Sequence, residues 1–247
     1  MAAASEIHSL TAGASLTDEQ LLTSYAVADR AQPWLRANFV SSIDGAATHE
    51  GVSGGLATEA DGRVFALLRR LADVIVVGAG TVRQEGYRNI ALDEASAKWR
   101  TENGLAAQPP FAIVTASLRL EPKDLASYAT RPFVITTERA SAENRRRIEE
   151  VADVIVAGDA LVDTVELKHV LAERGYPQVH SEGGPTLFAT MIAQGVVDEL
   201  CLTISPRLEG GSARRIVDAA DATPQDMTLG HAFSAPDGSL LLRYVRA

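Results

Sequence analysis

The feature that most constrains the fold is a series of short apolar runs, rich in β-branched residues, that alternate with segments of helical spacing. A run that is apolar at nearly every position is typical of a strand covered on both faces, as in a parallel sheet. The runs begin at Trp34, Asp73, Phe111, Pro132, Asp153 and Gln178. They predict an α/β domain with a mixed, mostly parallel central sheet and helices on both faces.

Helices are predicted between these runs. Apolar residues recur at helical spacing in residues 58–71, and similar patterns occupy residues 141–151, 163–175 and 187–195. Residues 103–110 contain Gln and Pro and predict a long loop. No composition shift divides the body of the chain, which indicates one domain.

The two ends of the chain differ from this pattern. Residues 1–32 predict a leader with a short helix from Thr17 to Ala28, and the domain is expected to span residues 33–247. At the other end, the sequence predicts antiparallel strands. One comprises residues 198–205, and two more, which begin at His231 and Ser239, form a hairpin.

Composition excludes several classes of function. The 247 residues carry a formal charge of −9, which gives no long-range attraction for nucleic acid or anionic membranes. The single Cys201 and the five dispersed histidines offer no metal-ligand spacing, so no bound metal is expected. Because the chain has no apolar stretch of membrane-spanning length and its N-terminal segment lacks signal-peptide features, a cytoplasmic protein is expected.

Two strand ends are followed at once by glycines and then by a helix, in VGAGTV (residues 77–82) and SEGGPT (residues 181–186). Glycines let a ligand approach the backbone closely, and the free N–H groups of a helix start attract anions. Both turns would lie at the carboxyl edge of the sheet, where ligands bind in open α/β folds. The alternative is that the glycines only form tight turns.

Neither turn matches a common nucleotide motif. Arg83 occupies the place of the third glycine in the dinucleotide fingerprint, and no lysine follows as a Walker loop requires. A Rossmann oxidoreductase and a P-loop NTPase are therefore disfavoured.

Six short motifs together resemble a known family. In chain order they are SIDG (residues 42–45), LR (68–69), DVIVVGAGTV (73–82), EGGPTL (182–187), DEL (198–200) and ISP (204–206). From about Trp34 onward the chain resembles the reductase half of the bacterial riboflavin-biosynthesis deaminase/reductase, the RibD C-terminal family. The resemblance implies a dihydrofolate reductase-like, three-layer αβα fold. It also implies a homodimer that uses NADPH to reduce the ribosyl group of 5-amino-6-(5-phosphoribosylamino)uracil.

The resemblance also implies a set of cofactor-binding residues. The expected nicotinamide-side turn contains Gly78, Gly80, Thr81 and Val82. The expected pyrophosphate turn contains Gly183, Gly184, Pro185, Thr186 and Leu187. A segment suited to the 2′-phosphate contains Thr115, Ser117 and Arg119, whose hydroxyl and guanidinium groups fit a phosphomonoester.

The residues expected on the substrate side are Asn38, Ser42, Asp44, Ser53, Arg69, Glu85 and Glu182. Among them Glu182, Glu85 and Asp44 are the candidates for catalysis, and Arg69 is the candidate anchor for a substrate phosphate. Two positions depart from the family pattern, since Asn38 replaces a lysine and residues 85–87 (EGY) replace D-N-P. With a single cysteine the chain lacks the zinc deaminase signature, which predicts a stand-alone reductase.

Two other functions remain open at this point. The scaffold could reduce dihydrofolate or another pterin, since the departures fall on the substrate side. It could also be an NADPH-binding module without turnover. The sequence does not decide between NADPH and NADH.

Overall fold

The fold was analysed in a computed structural model, which describes residues 13–87, 90–218 and 224–247. Within these residues, nine strands form a single sheet. The strands are β1 (Trp34–Ser42), β2 (Val74–Gly78), β3 (Phe111–Val114), β4 (Phe133–Thr136), β5 (Asp153–Val156), β6 (Gln178–Ser181), β7 (Glu199–Ser205), β8 (Met227–Ser234) and β9 (Leu240–Arg246). Their order in the sheet is β5-β4-β3-β2-β6-β1-β7-β9-β8. The first seven strands are parallel to one another, and β9 pairs antiparallel with both β7 and β8, so the predicted mixed sheet is confirmed.

Helices cover both faces of the sheet. They are α1 (Asp18–Tyr25), α2 (Glu59–Leu71), α3 (Ala79–Gln84), α4 (Glu94–Glu102), α5 (Pro122–Leu125), α6 (Ala142–Glu149), α7 (Thr164–Glu173) and α8 (Pro185–Ala193). Alternate residues of β2 enter different cores, because successive strand side chains point to opposite faces. Val76 packs in the core that contains Phe188 of α8, whereas Val77 packs with Val82 of α3 and Ile148 of α6. The predicted three layers are therefore present.

The first helix is part of the folded body. It begins after a capping box between Thr17 and Gln20, and it ends at Tyr25, earlier than the predicted Ala28. Its buried side chains, Leu21 and Tyr25 among them, pack in a cluster with Leu68 of α2. The predicted boundary at residues 32 and 33 stays a prediction, and residues 1–12 of the expected leader lie outside the described residues.

A buried ion cluster holds the end of α1 against the sheet. Glu199 accepts hydrogen bonds from Arg36 Nε at 2.7 Å and Arg243 Nε at 2.9 Å. The same two guanidinium groups donate to the backbone carbonyls of Tyr25 and Ser24, which lack helical partners. Burial raises the pKa of Glu199, but Arg36 and Arg243 more than offset this effect and lower it to about 2.

Several elements differ from the sequence prediction. The helix α4 was not predicted, because its inward face carries the polar residues Ser96 and Arg100 instead of an apolar stripe. The buried Arg100 donates to the carbonyls of Arg70 and Ala72 and so completes the end of α2. The short helix α5 was also missed, α8 begins at Pro185 and not at Leu187, and β8 begins at Met227 and not at His231.

None of the helices in the described part of the chain combines the length and the apolar character needed to cross a lipid bilayer.

Candidate active site

The two glycine turns lie side by side. They follow β2 and β6, which are adjacent parallel strands. The N–H of Gly78 donates to the carbonyl of Gly183 at 3.0 Å, and the N–H of Glu182 donates to the carbonyl of Val76 at 2.9 Å. The structure therefore joins the two predicted cofactor turns into one surface at the carboxyl edge of the sheet.

The glycines of this surface are needed for different reasons. Gly183 and Gly184 have φ angles of +88° and +87°, which favour glycine. A Cβ atom on Gly183 would also lie 2.9 Å from the Phe39 ring. In contrast, a Cβ on Gly80 would meet nothing within 4 Å. Turn geometry thus explains Gly183 and Gly184, but the fold does not require glycine at position 80.

Neither helix that starts here has a side-chain cap among the described residues. The N-cap residues are Gly78 for α3 and Gly184 for α8, and Pro185 occupies the first turn of α8. The first N–H groups of α8 are consequently left for water or for a ligand. Among the other residues assigned to the turns, Thr186 is exposed, whereas Val82 and Leu187 pack into the cores.

A cleft of about 260 Å³ opens beside the glycine surface. It lies between the start of α2, the end of β1, the C-terminal end of α3 and the loop before α2. Its lining residues are Asn38, Phe39, Val40, Ala47, Thr48, Ser53, Gly54, Ala57, Asp61, Gly62, Phe65, Thr81, Gln84, Glu85, Tyr87, Glu182, Gly184 and Pro185. Four of the seven residues expected on the substrate side line the cleft, namely Asn38, Ser53, Glu85 and Glu182, whereas Ser42, Asp44 and Arg69 do not.

Arg69 is bonded to Glu182. Its Nε and Nη2 atoms donate to the two carboxylate oxygens at 2.5 and 2.7 Å, and its guanidinium carbon lies 4.4 Å from the centre of the Phe65 ring. Such a bidentate pair fixes the carboxylate plane. In this structure Arg69 therefore holds Glu182, and the substrate phosphate contact expected from the sequence stays a prediction.

The buried His180 lies behind this pair. Its Nε2 atom is 3.6 Å from a Glu182 oxygen, and neither ring nitrogen has a hydrogen-bond partner in the described part of the chain. Burial lowers the pKa of His180 to about 4, although the charge of Glu182 opposes this effect. His180 is therefore a neutral ring at neutral pH.

Glu85 connects two walls of the cleft. One of its carboxylate oxygens accepts the backbone N–H of Ser53 at 2.8 Å, which ties the loop before α2 to the end of α3. Glu85 and Ser53, both expected on the substrate side, are thus brought together.

Asp44 and Ser42 lie outside the lining of the cleft. The Asp44 carboxylate accepts hydrogen bonds from the Ser42 hydroxyl at 2.5 Å and from the N–H groups of Glu209 at 3.0 Å and Gly210 at 2.7 Å. These bonds hold the pKa of Asp44 well below its usual range, and the bond from Ser42 has the largest effect. Asp44 therefore connects two loops through these bonds, and its assignment to catalysis stays a prediction.

The segment expected at the 2′-phosphate follows β3. Thr115 is buried and its hydroxyl accepts the N–H of Leu118 at 3.2 Å, whereas Ser117 and Arg119 are exposed. Arg83 donates from Nη1 to the backbone carbonyl of Arg119 at 3.5 Å. Two guanidinium groups therefore lie close to this exposed loop.

Sequence reasoning missed several lining residues, of which Asp61 is the most informative. It lies in the first turn of α2, where an acid is usual at a helix start, so the sequence alone gave no reason to place it in a site. With Glu85 and Glu182 it gives the cleft three carboxyl groups, and no lysine, arginine or histidine is among the described lining residues. The cleft therefore favours ligand groups that donate hydrogen bonds.

No group of three or more His, Cys, Asp or Glu side chains suited to a metal ion occurs in the described ranges. The expectation of a metal-free site stays a prediction.

Comparison with known proteins identifies the family. The model of the RibD C-terminal domain matches residues 33–239. This chain belongs to the RibD C-terminal domain family. The 2,5-diamino-6-ribosylamino-4(3H)-pyrimidinone 5′-phosphate reductase of Methanothermobacter thermautotrophicus is 31% identical over 193 residues, which cover 76% of this chain and 84% of that protein. The reductase of the same name from Archaeoglobus fulgidus is 28% identical over 182 residues, or 73% of this chain and 83% of that protein.

Solved structures of RibD-like proteins share the fold. A pyrimidine reductase-like protein from Corynebacterium diphtheriae superposes with a TM-score of 0.83 at 27% identity, covering 94% of this chain and 99% of that one. The riboflavin biosynthesis reductase Rib7 of Saccharomyces cerevisiae gives a TM-score of 0.63 at 18% identity, with 92% and 95% covered. The dihydrofolate reductase-like fold implied by the sequence motifs is confirmed.

Proposed function

We propose that this protein is a reductase of riboflavin biosynthesis that converts the ribosyl group of a phosphoribosylaminopyrimidine to the ribityl chain. The observation that carries the proposal is the hydrogen-bonded pair of glycine turns beside an acidic cleft in a RibD C-terminal domain. The archaeal relatives are named as reductases of the 2,5-diamino pyrimidinone, whose ring carries an amino group at position 2. The uracil substrate expected from the sequence differs from it at that one ring position.

We expect NADPH as the cofactor, with its diphosphate at the turn of Gly183 and Gly184 and its nicotinamide side at the turn of Gly78 and Gly80. The bare N–H groups of the turn of Gly183 and Gly184 suit phosphate oxygens. Ser117 and Arg119, which are exposed after β3, would contact the 2′-phosphate and favour NADPH over NADH. When bound, NADPH supplies a hydride for the anomeric carbon of the sugar.

The protein's own part in the reaction is orientation and proton placement. Opening of the sugar ring requires a proton at the ring oxygen, which becomes a hydroxyl group. Glu85 is the better candidate for this role, because one of its oxygens is held by Ser53 and no cation pairs with it in the described residues. Both oxygens of Glu182 are engaged by Arg69, which suits Glu182 to holding the substrate in place.

Parallel assays would test this function. Purified protein is given NADPH with the phosphoribosylaminopyrimidines or with dihydrofolate, and oxidation of NADPH is followed by absorbance. We expect turnover with a phosphoribosylaminopyrimidine. Tight NADPH binding without turnover of any substrate would instead favour a binding module.

The cofactor assignment has a test of its own in Gly80→Ala. The fold has room for a methyl group at this position, but the methyl group would occupy space assigned to the nicotinamide side of the cofactor. We expect NADPH affinity to fall by about tenfold or more, as in an overpacked contact, with no loss of thermal stability. Gly13→Ala, which also has no neighbour within 4 Å, is the control. Unchanged affinity in Gly80→Ala would remove this turn from the cofactor site.

A second candidate is reduction of dihydrofolate or another pterin, and the acidic cleft favours it. Asn38 stands where the family resemblance leads one to expect a lysine, and Arg69 is bonded to Glu182. None of the lining residues that the structure describes is therefore a cation that could hold a phosphate inside the cleft. Turnover of dihydrofolate without turnover of either phosphoribosylaminopyrimidine would establish this alternative.

We further propose that the protein is a homodimer. Three cross-strand pairs, Leu200 with Tyr244, Leu202 with Leu242 and Ile204 with Leu240, place apolar side chains on one face of β7 and β9. Among the described residues of these pairs, only Leu200 packs against a core cluster. The other five side chains are half-buried. Light scattering should show that Leu242→Glu converts a dimer to a monomer, whereas Leu161→Glu on an exposed loop should not. A wild-type monomer would contradict the proposed homodimer.

The cytoplasmic location also stays a prediction.

A further inference from the structure

A column of three buried polar side chains runs along one face of β6. Because successive residues of a strand point to opposite faces, Gln178, His180 and Glu182 share a face, and the ring of Phe65 on α2 lies 6.4 Å from that of His180. Gln178 and His180 line a small cavity behind α1, whereas Glu182, just past the carboxyl end of the strand, lines the cleft. The column therefore connects two cavities through the core.

The cavity behind α1, here called the rear cavity, has a volume of about 50 Å³, and its lining includes Ala26, Arg30, Trp34, Arg36, Gln178 and His180. Its mouth lies at the segment after α1, where Ala26 is exposed, and its inner part reaches His180, which is 1% exposed. One water molecule needs about 10 to 15 Å³ of such space, so the rear cavity has room for about three.

The His180 ring needs hydrogen-bond partners that the described part of the chain does not supply. Neither of its ring nitrogens bonds to a described protein group. Its Nε2 atom lies 3.6 Å from a Glu182 oxygen, slightly beyond hydrogen-bond length. Because a buried polar atom without a partner is costly, water that enters through the rear cavity is favoured at this ring.

The charges around the ring leave it neutral. The charged groups that influence it are Glu182 at the end of its own strand, Arg36 on β1, Arg69 on α2 and Glu199 on β7. They are two cations and two anions, so burial has the largest effect on the pKa of His180 and lowers it to about 4.

A neutral imidazole has one N–H donor and one acceptor nitrogen, and its surroundings select which is which. A nitrogen lone pair directed at the Glu182 carboxylate would be repelled, whereas an N–H group is attracted. Nε2 is the nitrogen that faces Glu182, so it is the one that should carry the proton. Nδ1 is then an acceptor and needs a donor, which water in the rear cavity can provide.

We propose that His180 is a positioning residue for Glu182, with Nε2–H directed at the carboxylate and Nδ1 bonded to water in the rear cavity. Arg69 already donates to both oxygens of Glu182, and His180 approaches one of them, Oε1. A small movement on substrate binding would shorten the contact from 3.6 Å to a hydrogen bond, as catalytic contacts often tighten in the complex. The carboxylate is then fixed from two sides, and its remaining acceptor capacity is left for the substrate.

The kinetic consequence of this inference rests on the proposed reductase function, in which Glu182 holds the substrate. The tautomer of His180 does not depend on that function. The two claims can therefore fail separately.

Nuclear magnetic resonance tests the tautomer directly. Full-length protein is labelled with ¹⁵N in its histidine rings, and each ring nitrogen is correlated with the ring protons at neutral pH. The signals of His180 are those missing from the spectrum of His180→Leu. We expect a neutral ring with its proton on Nε2. A proton on Nδ1, or on both nitrogens, would overturn the inference.

Kinetics separates positioning from packing. The substrate is 2,5-diamino-6-ribosylamino-4(3H)-pyrimidinone 5′-phosphate, the variants are His180→Leu and His180→Gln, and the control is His169→Leu on the exposed side of α7. A glutamine amide can donate an N–H toward Glu182, whereas leucine cannot. We expect kcat/KM for this substrate to fall by about tenfold in His180→Leu, the range of one hydrogen bond to a charged group. His180→Gln should retain most of the activity, and NADPH affinity should not change in any variant.

Equal losses in His180→Gln and His180→Leu, or no loss in His180→Leu, would overturn the positioning role. A wild type that does not turn over the substrate would contradict the reductase function, and the spectra alone then decide where the His180 proton lies. Thermal unfolding identifies any variant with a folding defect, for which the wild-type spectra remain the deciding measurement.

The rear cavity has its own test in Ala26→Trp, which places a large side chain at the mouth. Ala28→Trp is the control, because Ala28 is exposed in the same segment but does not line the rear cavity. We expect Ala26→Trp to lower kcat/KM toward the value of His180→Leu and to weaken the preference for Nε2–H in the spectra. The same activity and spectra in Ala26→Trp and Ala28→Trp would contradict the part assigned to water in the rear cavity.

Discussion

At the scale of single residues, Glu182 is where the cofactor turn, the cleft and the core meet. Its backbone N–H is bonded to β2, its carboxylate to Arg69, and it follows the buried strand that carries His180. The Glu182 side chain has no solvent exposure and that of Arg69 has 12%. A buried pair of this kind is sensitive to loss of one partner, because the remaining charge is left uncompensated.

We therefore expect Arg69→Met to lower the free energy of unfolding by about 3 kcal/mol. The double variant Arg69→Met with Glu182→Gln should recover part of that loss, since no unpaired carboxylate remains. Urea denaturation measures both. The exposed pair of Arg63 and Asp18 is the control, and Arg63→Met should cost under about 1 kcal/mol. Equal losses in Arg69→Met and Arg63→Met would contradict the importance of the buried pair.

At the scale of elements, the helix α1 is the segment whose role differs most from the sequence prediction. It was expected to belong to a leader, but its apolar side chains are buried against α2 and its last carbonyls are bound by Arg36 and Arg243. Those long-range contacts are invisible to local sequence patterns.

Leu21→Ala tests this docking. Leu21 is 4% exposed, so we expect truncation to lower the free energy of unfolding by about 2 to 4 kcal/mol, as for other buried leucines. NADPH affinity should not change, because α1 does not line the cleft. Chemical denaturation and a cofactor titration check the two parts. A loss below about 0.5 kcal/mol, typical of surface positions, would show that α1 is not docked in solution.

The elements that the sequence predicted well are those with a strong apolar pattern. The buried strands β2, β3 and β4 have an almost continuous apolar run, and the two glycine turns follow directly from the residue types. The helix α4 was missed because its buried face is polar, and the start of β8 was hidden by a register shift between Leu229 and His231.

The site was predicted less completely than the fold. The glycines and Glu182 are contiguous in the sequence, whereas the partnership of Arg69 with Glu182 and the position of Asp61 in the cleft depend on how α2 packs on β6, β1 and β7. An arginine that meets a carboxylate and one that meets a phosphate look alike in a sequence. Only the packing distinguishes them.

At the scale of the whole molecule, stability should fall in mild acid. Burial lowers the pKa of both His180 and His231 to about 4, below the value of about 6.5 for an unfolded histidine. Between these values the unfolded chain binds more protons than the folded one, so stability decreases as the pH falls. The low pKa of Glu199 extends the loss to lower pH.

We expect the free energy of unfolding to drop by about 3 kcal/mol for His180 between about pH 7 and pH 4, from the size of the pKa difference. Urea denaturation across this range measures the slope. His180→Leu should flatten it, because the buried position then has no group to protonate. Parallel curves for the wild type and His180→Leu would show that His180 does not contribute.

The most direct test of the reductase assignment follows the transferred hydrogen. Purified protein is incubated with NADPH that carries deuterium on its transferable C4 position and with 2,5-diamino-6-ribosylamino-4(3H)-pyrimidinone 5′-phosphate, and the product is analysed by mass spectrometry and NMR. The account predicts one ribityl product for each NADPH consumed, with the deuterium on the former anomeric carbon. NADPH that stays unoxidised, or a product without deuterium at that carbon, would contradict it.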